Sequence, residues 1–277
     1  MNSLSEIPGT QYINEPFNIR KESIKNNLAV SNWRDFFLSD KKHLFADYLL
    51  NISNNKIKDT SISFPGPLSE NYKLITWRKI WKILFLPNIY DDLFDKILDC
   101  KKVYLFRHPI PTTLSRKYFP RLDSYANSSF SSRFNDLQLR VINKTISERD
   151  HFKMGVVDWA LRNHILLNYN SAKKYFLFYE DIVNSPKREI KNLLQFLDEQ
   201  KTFEKVYKRV LQPSGSTNQS TQKTISVISD LKGEERKHYL INRWKNKVDK
   251  KQIDFCQNVL DLFEIKSYNA NESFPNK

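Results

Sequence analysis

Short runs of aliphatic and aromatic residues alternate along the chain with longer segments of helical periodicity. That alternation predicts an α/β fold. Residues 103–106, VYLF, form a β-branched and aromatic run suited to a strand buried on both faces. Residues 175–179, YFLFY, form another strand of aromatic and aliphatic residues. Residues 81–86 read as a further strand, stopped by Pro87. Asn88 then caps a helix whose Tyr90, Leu93, Phe94, Ile97 and Leu98 share one face. A helical hairpin is expected around residues 33–51, and a long helix over 154–169 that buries Val157, Leu161 and Ile165. Ile190, Leu193, Leu194 and Leu197 fall at i, i+3, i+4 and i+7, with Ser185 and Pro186 placed to start their helix. Near the C-terminus Asp249 and Gln252 make a capping box, and Ile253, Cys256, Leu260 and Phe263 supply the buried face behind it. The chain has no internal repeat.

The most informative stretch is residues 101–118, KKVYLFRHPIPTTLSRKY. Arg107 ends the strand at its carboxyl end, where open α/β sheets place their ligands. Pro109 and Pro111 stop the strand, and a helix is expected to begin near Thr112. Ser115 would then lie in the first turns of that helix, its hydroxyl converging with Arg107 on one anion. An ordinary strand–turn–helix with a surface arginine is the plainer reading of the same residues.

This segment resembles the 3′-phosphate-binding unit of sulfotransferases that use 3′-phosphoadenosine 5′-phosphosulfate (PAPS) as donor. In that family a strand ends in Arg-x-Pro, and a serine stands eight residues after the arginine. Arg107 and Ser115 match both positions. Residues 173–199, KKYFLFYEDIVNSPKREIKNLLQFLDE, resemble the family's later strand, Tyr-Glu-Asp turn and proline-started helix. Residues 12–18, YINEPFN, resemble the Glu-Pro-Phe block of carbohydrate-directed and bacterial members, and residues 244–268 resemble the family's closing tryptophan, lysine-rich turn and helix. The resemblance runs in order over about residues 1–268.

It implies a P-loop-NTPase-like parallel sheet flanked by helices, with residues 101–106 and 175–179 as neighbouring central strands, in a single domain over residues 1–277. Within it, residues 1–100 would form the acceptor side and 101–119 the 3′-phosphate unit. Residues 121–148 would be a lid, 173–199 a strand–turn–helix, and 212–224 a loop that closes on the nucleotide. The implied reaction moves a sulfuryl group from PAPS to a hydroxyl or amine, with a glycan as the first acceptor class. Arg107 and Ser115 would hold the donor's 3′-phosphate, with Ser214, Ser216 and Lys223 as further donor contacts unless that tract is a plain surface loop. Glu15 would act as the base, or else simply pair with Arg20 or a nearby lysine. Glu180 and Asp181 read as structural, and His108 as a support of the turn. No metal is implied, and no His/Cys/Asp/Glu spacing suggests one.

The family also opens with a strand and a Pro-Lys-Ser-Gly-Thr-Thr type of loop that holds the 5′-phosphosulfate. Residues 1–18, MNSLSEIPGTQYINEPFN, read instead as the end of the following helix running into the Glu-Pro-Phe block. The first strand and its loop therefore look missing, which implies a truncated or impaired donor site. Residues 213–217, PSGST, imitate the loop, but their setting is wrong: a polar tract, with no apolar strand before it.

Composition changes this picture little. The 277 residues are 40% hydrophobic with only 5 glycines, enough for a core and unlike a low-complexity chain. A net charge of +14 suits a polyanionic donor or an acidic glycan, and equally a nucleic-acid binder. The lysine clusters are scattered, without zinc-finger or RNA-recognition spacing, which disfavours nucleic acid. Cys100 and Cys256 read as reduced, buried thiols of a cytoplasmic protein. No apolar run reaches membrane-spanning length and no secretory signal is visible. A non-catalytic protein that binds adenosine 3′,5′-bisphosphate stays open as an alternative. A P-loop kinase is disfavoured by the absence of Gly-x-x-x-x-Gly-Lys.

Overall fold

A computed structural model describes residues 3–4, 7–18, 21–28, 30, 42–57, 63–65, 78–83, 97–116, 120, 122–127, 129–168, 173–211, 231 and 233–276. The architecture is α/β. Strand β1 (Thr10–Asn14) pairs antiparallel with β2 (Ser63–Pro65) and parallel with β3 (Arg78–Lys82). Strand β4 (Lys102–Phe106) pairs parallel with β5 (Lys174–Phe178), with Val103 opposite Tyr175 and Leu105 opposite Leu177. This is the adjacency expected of the two apolar runs.

Helices α1 (Glu22–Asn27) and α2 (Lys42–Ser53) follow β1, and α3 (Pro109–Leu114) follows β4. Then come α4 (Asp123–Ala126), α5 (Asp136–Glu148) and α6 (His151–Asn168), before β5. After β5 lie α7 (Tyr179–Asn184), α8 (Pro186–Phe196), α9 (Phe203–Val210), α10 (Gly233–Asn242) and α11 (Lys250–Leu262).

Alternation along the strands divides their side chains between two apolar layers. Ile80, Val103, Tyr175 and Leu177 join Ile7, Ile190, Leu193, Leu194 and Val206 on one face. Trp81, Tyr104, Phe106, Phe176 and Phe178 join the larger core with Ile13, Phe17, Trp159 and Tyr268. Strands of both sheets thus feed the same two layers. Among the described residues β4 is paired on one edge only, and Leu105 is 39% exposed although Leu177 opposite it is 6%.

Several helix expectations hold. Asp249 and Gln252 form the capping box of α11, and Cys256, Leu260 and Phe263 are buried behind it. Ile190, Leu193 and Leu194 are buried on α8, with Pro186 in its first turn, though the Ser185 side chain makes no capping bond.

Other expectations need correction. Residues 10–14 form a strand and not the end of a helix, because Thr10, Tyr12 and Ile13 are buried and the backbone is paired on both edges. The strand expected at 81–86 lies at 78–82, in register with β1 from Thr10 opposite Arg78. A mixed run of Arg, Lys, Ile and Trp hid it, since only Ile80 and Trp81 carry its two apolar faces. Cys100 is half-buried and only Cys256 is fully buried. The Asn88 cap, most of its helix and the first half of the hairpin at 33–51 lie outside the described residues.

Candidate functional site

Arg107 follows the last residue of β4, and the backbone around it is held from three directions. The Trp159 indole on α6 donates to the Arg107 carbonyl at 3.0 Å. The His108 amide donates to Glu180 Oε1 on α7 at 2.9 Å. The Thr112 hydroxyl donates to the His108 carbonyl at 2.8 Å, within α3 itself. The turn is therefore fixed by elements distant in sequence, and its geometry is a tertiary property.

The Arg107 side chain lies over the Tyr179 ring, 4.5 Å from its centroid. Its Nε is buried and, among the described residues, has no hydrogen-bond partner. A buried donor without an acceptor costs about 1–3 kcal/mol, so this atom is a ready site for an anion.

The helix after the turn starts earlier than expected. It begins at Pro109, with His108 as N-cap, and spans six residues. Prolines at its first and third positions explain this: a proline N–H is not needed there and φ is already helical. Ser115 is consequently the C-cap, exposed, with its hydroxyl donating to the Thr112 carbonyl at 2.7 Å. Arg107 and Ser115 flank the same short helix and both connect to Thr112. Among the described residues no hydrogen bond links their side chains, which engage Tyr179 and the Thr112 carbonyl respectively.

His108 is fully buried. Its Nδ1 accepts from the Ile110 amide at 3.3 Å, which leaves Nε2 to donate to the Asn269 carbonyl at 3.2 Å. Its ring stacks on Trp244 with centroids 4.8 Å apart. Burial, helped by nearby Arg107 and Lys245, pulls its pKa down to about 4, so it is a neutral support and not a cation in the site. Glu180 is buried too, and burial raises its pKa. Its second oxygen accepts from the Tyr268 hydroxyl at 3.0 Å. The structural reading of the Tyr-Glu-Asp turn fits these contacts.

Beyond Ser115, Arg116 and Arg162 both engage the buried Asp158 carboxylate, Arg162 at 3.0 Å. This clamp fastens the end of α3 to α6. Sequence reasoning missed it, and also missed Trp159 and Tyr268. The pairing of Arg162 with Asp158 four residues before it was a visible signal.

Glu15 stands apart from this cluster. It follows the last residue of β1 with φ 51°, and its carboxylate pairs with Lys82 at 3.3 Å and accepts from Asn18 at 3.0 Å. Lys82 is the final residue of β3, directly opposite Asn14. Ser214, Ser216 and Lys223 lie outside the described residues. Among the described residues no group of His, Cys, Asp or Glu could hold a metal, and no helix is long and apolar enough to cross a membrane.

No curated protein and no solved structure gives a match to the chain. The family model described as "Sulfotransferase domain" matches residues 88–269, which is 182 of the 277. That span holds β4, the Arg107 turn, the Asp158 clamp, β5 with the Glu180 turn, and the C-terminal residues that close over His108. With that much of its length matched, the arginine turn included, the chain belongs to the sulfotransferase family.

Proposed function

We propose that the chain binds PAPS, or its product adenosine 3′,5′-bisphosphate, with Arg107 as the principal contact to the 3′-phosphate. The observation that carries this reading is the buried Arg107 Nε, without a hydrogen-bond partner among the described residues, on a braced turn inside the sulfotransferase domain. Ser115 adds a hydroxyl from the end of α3, freed from the Thr112 carbonyl by rotation about χ1. Ser214, Ser216 and Lys223 would be further contacts to the donor, and residues 121–148 would cover the acceptor. The acceptor is a hydroxyl or an amine, with a glycan as the first class to try. Glu15 takes its proton, and the left-handed backbone at Glu15 is the kind of local strain that gathers at functional positions. No run in these 277 residues matches the family's phosphosulfate loop in its setting, so sulfuryl transfer by this chain alone is expected to be weak.

Calorimetry with adenosine 3′,5′-bisphosphate tests the binding half. Arg107→Ala should weaken the complex by about 1.5–3 kcal/mol, the worth of a charge-assisted hydrogen bond. Equal affinity for adenosine 5′-monophosphate would remove the case for a 3′-phosphate clamp.

A second reading, binding without catalysis, is favoured by one contact. The Glu15 carboxylate is already occupied by Lys82 and Asn18, as a purely structural acid would be. Transfer of radiolabelled sulfate from PAPS to glycan acceptors separates the two.

A further inference from the structure

The residues that hold the arginine turn from behind belong to the C-terminal segment. Tyr268 is among the largest fully buried side chains, with its ring edge-on to His108, Trp159 and Phe178. Its hydroxyl donates to Glu180, and the other oxygen of the same carboxylate receives the His108 amide. One residue later the Asn269 carbonyl accepts from the His108 ring, and Trp244 stacks on that imidazole. Two separate routes therefore run from residues 268–269 into the backbone next to Arg107. One passes through Glu180 to the His108 amide and the other through the imidazole.

We infer that residues 268–269 are a positioning element for anion binding, with Tyr268 acting through Glu180 on the backbone at Arg107 and His108. Glu180 has two acceptor oxygens and two donors facing it, from segments 72 and 88 residues distant in the chain. If Tyr268 withdraws, the carboxylate is buried with one oxygen unmet, and it regains balance by rotating or by drawing in water. Either movement loosens the His108 amide, and with it the peptide that aims Arg107. Tyr268 touches no ligand in this scheme, and neither does Glu180.

The inference rests on Arg107 being an anion contact, so its test carries two independent readouts. Tyr268→Phe keeps the ring and removes only the hydroxyl. Amide exchange at His108, followed without nucleotide, should quicken by about tenfold, the equivalent of one lost hydrogen bond. The dissociation constant for adenosine 3′,5′-bisphosphate should rise by a similar factor. Glu180→Gln keeps an oxygen for the His108 amide and should stay within about threefold of the parent, whereas Glu180→Ala should match or exceed Tyr268→Phe. Unchanged exchange at His108 in Tyr268→Phe would overturn the inference. So would faster exchange with unchanged affinity, which would make Tyr268 an ordinary core residue. Absence of any binding by the parent chain would instead overturn the donor reading, and the exchange result would still decide whether residues 268–269 hold the turn.

Discussion

Arg107 and Tyr179 meet across the carboxyl ends of β4 and β5, the guanidinium 4.5 Å from the ring centroid. Phe106 and Phe178, the residues just before them, are paired in the parallel register, so the stack continues the sheet by one step. An aromatic face at this place fixes the plane of the guanidinium while leaving its N–H groups directed elsewhere. Tyr179→Phe should preserve bisphosphate affinity. Tyr179→Leu should weaken it by about 0.5–2 kcal/mol, the range of a cation–π contact. Calorimetry on the two variants checks the difference, and equal affinities would mean that the ring only fills space.

Gly155 on α6 lets the short helix α3 approach closely. A Cβ added there would lie 2.4 Å from Thr113 Cγ2 and 3.0 Å from its Oγ1. Alanine gains about 1 kcal/mol over glycine in helix propensity, but the clash is expected to cost about 1–3 kcal/mol and should win. Gly155→Ala should therefore destabilise the protein on balance. Thr113→Ala clears the space and removes a buried hydroxyl that has no hydrogen-bond partner among the described residues. The double variant should recover the loss, with a coupling energy of about 1 kcal/mol or more in denaturant titrations.

What the sequence disclosed was local or periodic. The runs at 103–106 and 175–179 gave two strands, which the structure pairs in parallel, and the spacing of Ile190, Leu193 and Leu194 gave a helix face. The Asp249–Gln252 box was legible because both its bonds close within three residues. The place of Arg107, directly after the last residue of β4, was legible too.

What the sequence hid was long-range. Nothing local pairs Glu180 with Tyr268, or Trp159 with the Arg107 carbonyl 52 residues away. The strand at 10–14 was missed because its partners are fifty or more residues further along, so nothing local marked it as a strand. Ser115 moved from the start of a helix to its end because Pro109 and Pro111 initiate helix instead of delaying it.

The neutral, buried His108 gives a pH dependence with a definite sign. Its folded pKa of about 4 lies below the ordinary 6.5, so the stability it confers is complete above 6.5 and is lost as pH falls toward 4. At about 1.4 kcal/mol per pH unit this is worth roughly 3 kcal/mol. Glu180 works against it. Burial raises its pKa above 4.5, so its carboxylate becomes easier to keep folded as protons bind in that region. His108→Asn should be clearly less stable than the parent at pH 7, and the gap should narrow steadily toward pH 4.5. A gap that stays constant across this window would mean that His108 is not held neutral. The same experiment on Glu180→Gln should show a steeper acid loss than the parent, because the opposing contribution is gone.

The two thiols should differ in reactivity. Burial pushes Cys256 up to about 12 and hides its sulfur inside the face of α11, whereas Cys100 is half-buried beside the start of β4. Only the thiolate reacts. A thiol-specific chromogenic reagent should modify one cysteine in the folded protein and the second only after denaturant is added. Peptide mapping should assign the first to Cys100.

Glu15 decides between base and ion pair. As a partly buried partner of Lys82 it contributes about 1 kcal/mol or less, so Glu15→Gln should fold normally and bind bisphosphate as the parent does. Its catalytic role shows only where transfer is measurable. Preorganised donors at the transferring group supply about a hundredfold or more each, and these 277 residues show no match to the loop that would provide them. A version of the chain extended with an apolar strand and a Ser-Gly-Thr-Thr loop should therefore transfer sulfate from PAPS at least about a hundredfold faster than the 277 residues alone. In that extended protein Glu15→Gln should lower kcat by about 10²–10⁴, the usual worth of a general base, and leave the PAPS KM unchanged. Fast transfer by the unextended chain would show that the phosphosulfate is held by other residues of this sequence. An extended chain whose kcat ignores Glu15→Gln would leave the carboxylate as a strut between β1 and β3.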